Sequence, residues 1–192
     1  MTTICLIRHG ETEWNAAGIL QGTTDIPLNA KGVKQAEACS VYLASSSYDV
    51  LISSPLKRAK QTAEIINQKL GLPFHTMSEF QERAFGAAEG MTYEARRAEY
   101  PKKNYPGQER EEDFHKRIMM GLQKVTELYP GQKVLLINHG AVIKAILKAF
   151  SGDDNILEGD RLMNGCISDI HFENEKWKIK DFNRTAHLPT LS

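Results

Sequence analysis

The sequence predicts an α/β fold: a three-layer α/β/α sandwich with a mostly parallel central sheet and one antiparallel edge. Three observations carry that expectation. Short apolar runs of β character alternate with segments of helical periodicity, as in a parallel sheet crossed over by helices. The early runs end in turns that contain glycine or proline. The last two strand-like runs break the alternation and are joined by only two residues, as in an antiparallel pair.

The elements follow in order. TICLI, residues 3–7, reads as a strand anchored by Ile4, Leu6 and Ile7, and it runs directly into Arg8, His9 and Gly10. Val33, Ala36, Cys39 or Ser40, and Leu43 then recur at helical spacing. YDVLISS, residues 48–54, reads as a strand that stops before Pro55, and Ala59, Ala63, Ile66 and Leu70 mark the helix after it. Residues 80–108 are the least regular part, punctuated by Gly86, Gly90, Pro101, Pro106 and Gly107 around one short helix near Tyr93 to Tyr100. A long punctuated segment in a compact domain points to a lid or substrate-binding insertion. Phe114, Ile118, Leu122 and Val125 give another helix, and KVLLI, residues 133–137, the next strand. CISDIHFE and KWKIKDFN, joined by Asn174 and Glu175, form the antiparallel edge.

A length of 192 residues suits a single domain over 1–192. Lysine plus arginine, 24, equals aspartate plus glutamate, 24, so no global charge directs the chain to nucleic acid or to a membrane surface. Cys5, Cys39 and Cys166 are odd in number, far apart and set among apolar neighbours, which reads as reduced structural thiols. Metal-ligand spacing of the CxxC kind is absent, as are a signal-peptide pattern and an apolar run long enough to span a bilayer. A cytoplasmic protein is expected.

Open parallel sheets bind ligands beyond the C-terminal ends of their strands. After the first strand stand Arg8, His9 and Gly10; after the second, Ser53, Ser54, Pro55 and then Arg58; after KVLLI, Asn138, His139 and Gly140. Arginine matches a phosphoryl group with a fork of donors, and glycine lets backbone approach closely and offer its amide. A neutral imidazole accepts a phosphoryl group, and nearby cations help to keep it unprotonated. RHG alone is a weak signal, and a lone histidine after a strand, or an arginine among the lysines of PLKRAK, is commonly structural. The weight lies in the coincidence of three such candidates at adjoining strand ends.

With those residues in view, the sequence resembles the histidine phosphatase superfamily, also called phosphoglycerate mutase-like, and within it the broad-specificity phosphatase branch. LIRHGETEWN resembles its first signature block and QGTTDIPLNAKGVKQA the continuation, with Gly22, Asp25, Leu28 and Gly32 at the expected spacing. ISSPLKRAKQTAEII, FQERAFGAAEG and LLINHGAVIKAIL resemble three further blocks in order. The resemblance implies a phosphomonoester hydrolase acting on small phosphorylated metabolites, with no cofactor and no metal. It implies His9 as the nucleophile, Arg8 and Arg58 as phosphate ligands, and His139 as a hydrogen-bonding partner of the transferring group. Asn15, Gln21 and Gly22 would line the pocket, and Glu82 would protonate the leaving alkoxide and then activate water. Glu11 orients a ligand, caps the first loop or pairs with a basic neighbour.

The chain also departs from the pattern. Asn138 stands where the family commonly has serine, and a hydrogen bond at the pocket floor is expected of it. Ala88 replaces a tryptophan of many phosphatase members, so part of an apolar wall is expected to be missing. PGQEREED follows the usual GES block loosely, with Arg110 in place of the serine. A mutase dependent on 2,3-bisphosphoglycerate is the alternative activity, with Arg96, Arg97, Lys102 and Lys103 as its carboxylate-binding cations. The simpler account of those four is basic residues on exposed faces of an irregular segment. A catalytically inactive binding or regulatory relative is the third reading, against which stands the presence of every residue the mechanism needs.

Overall fold

The computed structural model describes residues 1–152 and 161–189; residues 153–160 and 190–192 lie outside the description. Among the described residues, six strands form one sheet in the order β3-β2-β4-β1-β5-β6. β1 (Thr2–Arg8) sits centrally, parallel to β4 (Lys133–Asn138) and antiparallel to β5 (Ile167–Glu173). β2 (Val50–Ser53) is parallel to β4 and to β3 (Phe74–Thr76), while β6 (Lys176–Arg184) completes the antiparallel edge. The expected architecture is thus the observed one.

Period-two alternation sends successive side chains of the central strands into two separate cores. Ile4 and Leu6 join Val134 and Leu136 against α5 (Glu111–Leu128) and α6 (Gly140–Ser151). Cys5 and Ile7 join Leu135 and Ile137 against α2 (Ala30–Leu43) and α3 (Lys57–Leu70). Strands buried on both faces read as continuous apolar runs, which is why TICLI and KVLLI are unbroken. The three cysteines are buried and unpaired. Asn174 and Glu175 both have positive φ, 51° and 61°, as a two-residue turn that follows the strand twist requires.

The remaining elements among the described residues are short: β3, α1 (Glu13–Ala16), α4 (Tyr93–Glu99) and two single 3-10 turns at Ser78–Phe80 and Gly86–Ala88. α4 matches the short helix expected near Tyr93. β3 and α1 have no periodicity to betray them. β3 is three residues on an exposed edge, and α1 is one turn held by a capping box between Thr12 and Asn15. None of the described helices is long and apolar enough to cross a membrane. The architecture matters for function because β1, β2 and β4 end side by side, with Arg8 opposite Asn138 and Ser53 opposite Ile137. Whatever follows those strands meets at one edge of the sheet.

Candidate active site

At that edge lies a cavity of about 350 Å³ whose walls include Arg8, His9, Asn15, Gln21, Gly22, Arg58 and Glu82. Seven of the eight site residues expected from sequence therefore share one space. His139 stands behind it, fully buried, with its ring centroid 5.2 Å from that of His9.

His9 is 2% exposed. Its Nδ1 lies 2.7 Å from the carbonyl oxygen of Gly10, an atom that can only accept, so the neutral ring carries its proton on Nδ1 and its lone pair on Nε2. Burial above all, then the charges of Arg58 and Arg8, hold its pKa well below the ordinary histidine value. The ring is neutral at pH 7. Gly10 does not offer its amide to the cavity as the sequence suggested, because that N–H donates to Thr62 Oγ1 at 3.0 Å. Glycine is required there for another reason: a Cβ would overlap the backbone of Gly32 at the start of α2.

Arg58 enters from the first turn of α3 and is 1% exposed. Its Nη atoms donate to the carbonyls of Thr24 at 2.9 Å and Gly22 at 2.7 Å, and its Nε to His9 Nε2 at 3.3 Å. Burial pushes its pKa down to about 10, so it stays a cation. Arg8 donates through Nη1 to the carbonyl of Leu162 and leaves its buried Nε without a partner among the described residues. Neither guanidinium has a salt-bridged carboxylate among the described residues. A fully buried and a half-buried cation beside a neutral ring make a site whose missing charge is negative.

Glu82 is held by two amides, Arg83 N to Oε1 at 3.0 Å and Ala141 N to Oε2 at 3.2 Å. Burial raises its pKa against the lowering effects of those bonds and of Arg58 and Arg8. A carboxyl biased toward its protonated form is what an acid catalyst needs. For His139, Ser54 Oγ lies 2.7 Å from Nε2 and accepts from the Leu56 amide at 3.3 Å. The other ring nitrogen of His139, Nδ1, is buried and has no hydrogen-bond partner among the described residues. Burial, followed by Arg58 and His9, depresses the His139 pKa well below normal.

Several residues invisible to sequence reasoning hold this arrangement. Glu89 accepts from the amides of Thr23, Thr24 and Phe85 at 2.9–3.0 Å and so ties the loop of Gly22 to the irregular segment. Asn164 donates to the carbonyl of His9 at 3.1 Å and to Asn15 Oδ1 at 3.2 Å. Arg117 grips the carbonyls on either side of Gln81 and forms a paired contact with Glu109. Such contacts join residues from 4 to 155 positions apart, most of them too distant to leave a local pattern.

Two expectations need correcting, for Asn138 and Ala88, and two open questions close, for Glu11 and Arg110. Asn138 is fully buried with both amide atoms unpartnered among the described residues, so it supplies no hydrogen bond at the pocket floor. Its neighbour across the ladder, Arg8, turns its Nη1 to Leu162 instead. Ala88 is buried and does not line the cavity, whose apolar wall comes from Trp14, Leu20, Phe85 and Tyr93. Glu11 accepts from Asn29 and pairs with Lys31 at 3.3 Å, which makes it a brace for the first loop. Arg110, in the serine position, is exposed and bonds to Glu112 at 2.6 Å.

Comparison with known proteins accords with this geometry. The chain is 51% identical over 188 residues to PhoE of Bacillus subtilis, described as an uncharacterized phosphatase, covering 98% of this chain and 97% of that one. It is 31% identical over 205 residues to a metal-independent phosphoserine phosphatase of Arabidopsis thaliana, covering 100% and 85%. Its fold superposes on YhfR of Bacillus stearothermophilus with a TM-score of 0.90 at 27% identity, covering 98% of this chain and all of that one. The family model of the histidine phosphatase superfamily, branch 1, matches residues 4–185, and the chain belongs to that superfamily.

Proposed function

We propose that this phosphatase hydrolyses small phosphomonoesters in two steps through a phosphohistidine at His9, with no metal. The phosphoryl dianion enters between Arg8 and Arg58, whose cations compensate its charge as a metal otherwise would. Arg58 Nε–H turns from His9 Nε2 to a phosphoryl oxygen, which frees the lone pair. Nε2 attacks phosphorus in line, the P–O bond to the leaving group breaks, and Glu82 gives its proton to the departing alkoxide. His139, whose ring centroid lies 5.2 Å from that of His9, donates to an equatorial oxygen of the bound phosphoryl group. In the second step Glu82, now a carboxylate, takes a proton from water as its oxygen attacks phosphorus. The N–P bond then breaks to release phosphate and neutral His9.

One observation carries the reading: the unprotonated Nε2 of His9 faces a buried cation at 3.3 Å, and a carboxyl of raised pKa lines the same cavity. Trp14, Phe85 and Tyr93 on its walls suit a range of leaving groups with apolar parts, so broad specificity is part of the proposal. The test is steady-state turnover in EDTA, comparing p-nitrophenyl phosphate hydrolysis with 3-phosphoglycerate mutation in the presence of 2,3-bisphosphoglycerate. Hydrolysis without mutation supports the reading, as does an acid-labile phosphoryl group on His9 in quenched samples. Mutation with little hydrolysis overturns it.

A further inference from the structure

Beside the catalytic cavity, and sharing Leu20, Phe85, Tyr93 and Arg96 with it, lies a second cavity of about 380 Å³. Apart from Leu20 it is built wholly from residues of the 80–108 segment. Its walls join rings to cations and include no carboxylate, in a chain whose charges otherwise balance. The rings are arranged without a ligand: Tyr100 and Tyr105 meet edge-on at 5.5 Å, and Phe85 meets Tyr105 edge-on at 6.5 Å.

The cations divide into two kinds. Arg83 is committed, donating to the Glu109 carbonyl and lying over Phe85 and Phe114. Arg96 lies over Tyr93 and donates to the Thr92 carbonyl. The side chains of Arg97 and Lys103, in contrast, have no hydrogen bond or ion pair to any described residue. Lys103 is also held at φ 57°, a left-handed conformation that is uncommon for lysine and costs backbone energy. Ring-lined walls, two exposed cations without a described partner and no lining carboxylate together point to an anion as the complementary ligand.

We propose that the second cavity receives the far end of the substrate: a planar or aromatic leaving group carrying its own anionic group, carboxylate or phosphate. The proposal rests on the phosphatase reading of the first cavity and adds a substrate class to it. Because the two cavities adjoin, one molecule fills both, with its phosphoester at His9, its ring against Phe85, Tyr93 and Tyr100, and its anion at Arg97 and Lys103. A three-carbon phosphoester would fill the first cavity and leave the second empty.

The test compares biphenyl-4-yl phosphate with its 4′-carboxy derivative. The remote carboxylate changes the leaving-group pKa little, so the ratio of kcat/KM reads recognition. The carboxylated ester is expected to win by about tenfold, the value of one charge-assisted hydrogen bond. The advantage should shrink as salt is raised and fall toward one in the double variant Arg97→Gln, Lys103→Gln. A ratio near one in the parent protein, or a ratio that survives the double substitution, overturns the proposal. The two corresponding phosphonates, titrated calorimetrically into the parent and the double variant, give the same ratio as affinities without turnover. If no phosphomonoester is hydrolysed, the phosphatase reading falls, and the phosphonate ratio still decides whether the cavity takes an aromatic anion.

Discussion

Arg58 places its Nε–H on the Nε2 lone pair of His9 at 3.3 Å while the carbonyls of Gly22 and Thr24 hold the rest of the guanidinium. One cation therefore does two things before any substrate arrives. It keeps a proton off the nitrogen that must attack, and it is already fixed where phosphoryl charge will develop. A rigid fork held by two carbonyls performs this task, whereas a flexible ammonium would be free to swing away.

Replacement of Arg58 by Gln is expected to lower kcat/KM by about 10²–10³-fold, the cost of losing one preorganised donor and its charge. It should also raise the pKa of His9, since Arg58 is the larger of the two charges depressing it. Titration of the imidazole by NMR checks the second effect. An unmoved His9 alongside lost activity would mean that Arg58 acts on substrate alone.

Glu82→Gln separates acid from base. With p-nitrophenyl phosphate, whose leaving group needs no proton, the variant should release about one equivalent of nitrophenolate rapidly and then stall, because water is no longer activated. With an alkyl phosphate no burst should appear and kcat should fall by about 10²-fold or more. A burst of equal size on both substrates would remove Glu82 from the first step.

His9 and His139 make stability depend on pH in a definite direction. Both are buried neutral with folded pKa values well below the unfolded value of about 6.5. Below about pH 6.5 the unfolded chain binds more protons than the native one. Stability then drops by up to about 1.4 kcal/mol per pH unit for each histidine. Glu82 acts in the opposite sense, since its folded pKa is raised, and it favours the native state as pH falls through the range just above 4.5. Urea denaturation at pH 7.5 and 5.5 should show the loss in the parent. Equal stability at both values would contradict neutral burial.

What the sequence made readable follows from what is local. Arg8, His9, Arg58 and His139 stand beside strand ends that apolar runs and turns mark out, so their convergence follows from the architecture alone. Glu82 stood out only by motif, because no spacing reveals that burial raises its pKa. Thr62, Glu89, Asn164 and Arg117 were missed because each works by touching something distant in sequence, and Ser54, named at its strand end, was given no role for the same reason. β3 and α1 escaped for the converse reason: three and four residues are too few to show a period. Asn138 was misjudged since a polar residue for a polar residue says nothing about whether partners lie within reach.

The contacts of Arg117 give the last prediction, on a residue that never touches the cavity. From α5 its Nη1 donates to the carbonyls of Glu79 at 2.9 Å and Gln81 at 2.6 Å, and its Nη2 to that of Glu82 at 3.1 Å. The paired contact with Glu109, 2.7 and 2.9 Å, braces the guanidinium, and Glu109 returns to the same segment by accepting from the Ala84 amide at 3.3 Å. The backbone bearing Glu82 is thus pinned on both sides, and the Glu82 carboxyl inherits its place from α5. Arg117→Ala leaves three carbonyls and a carboxylate without their donor and should cost about 2–3 kcal/mol in denaturant unfolding. Arg117→Lys should recover part of it, since one ammonium cannot reach every acceptor of the fork. A merely structural role would reduce activity on all esters alike. Positioning of the acid instead requires that kcat fall more for alkyl phosphates than for p-nitrophenyl phosphate, with the lysine variant between. An equal fall on both, at temperatures where the variant is folded, would leave Arg117 a stabilising residue and nothing more.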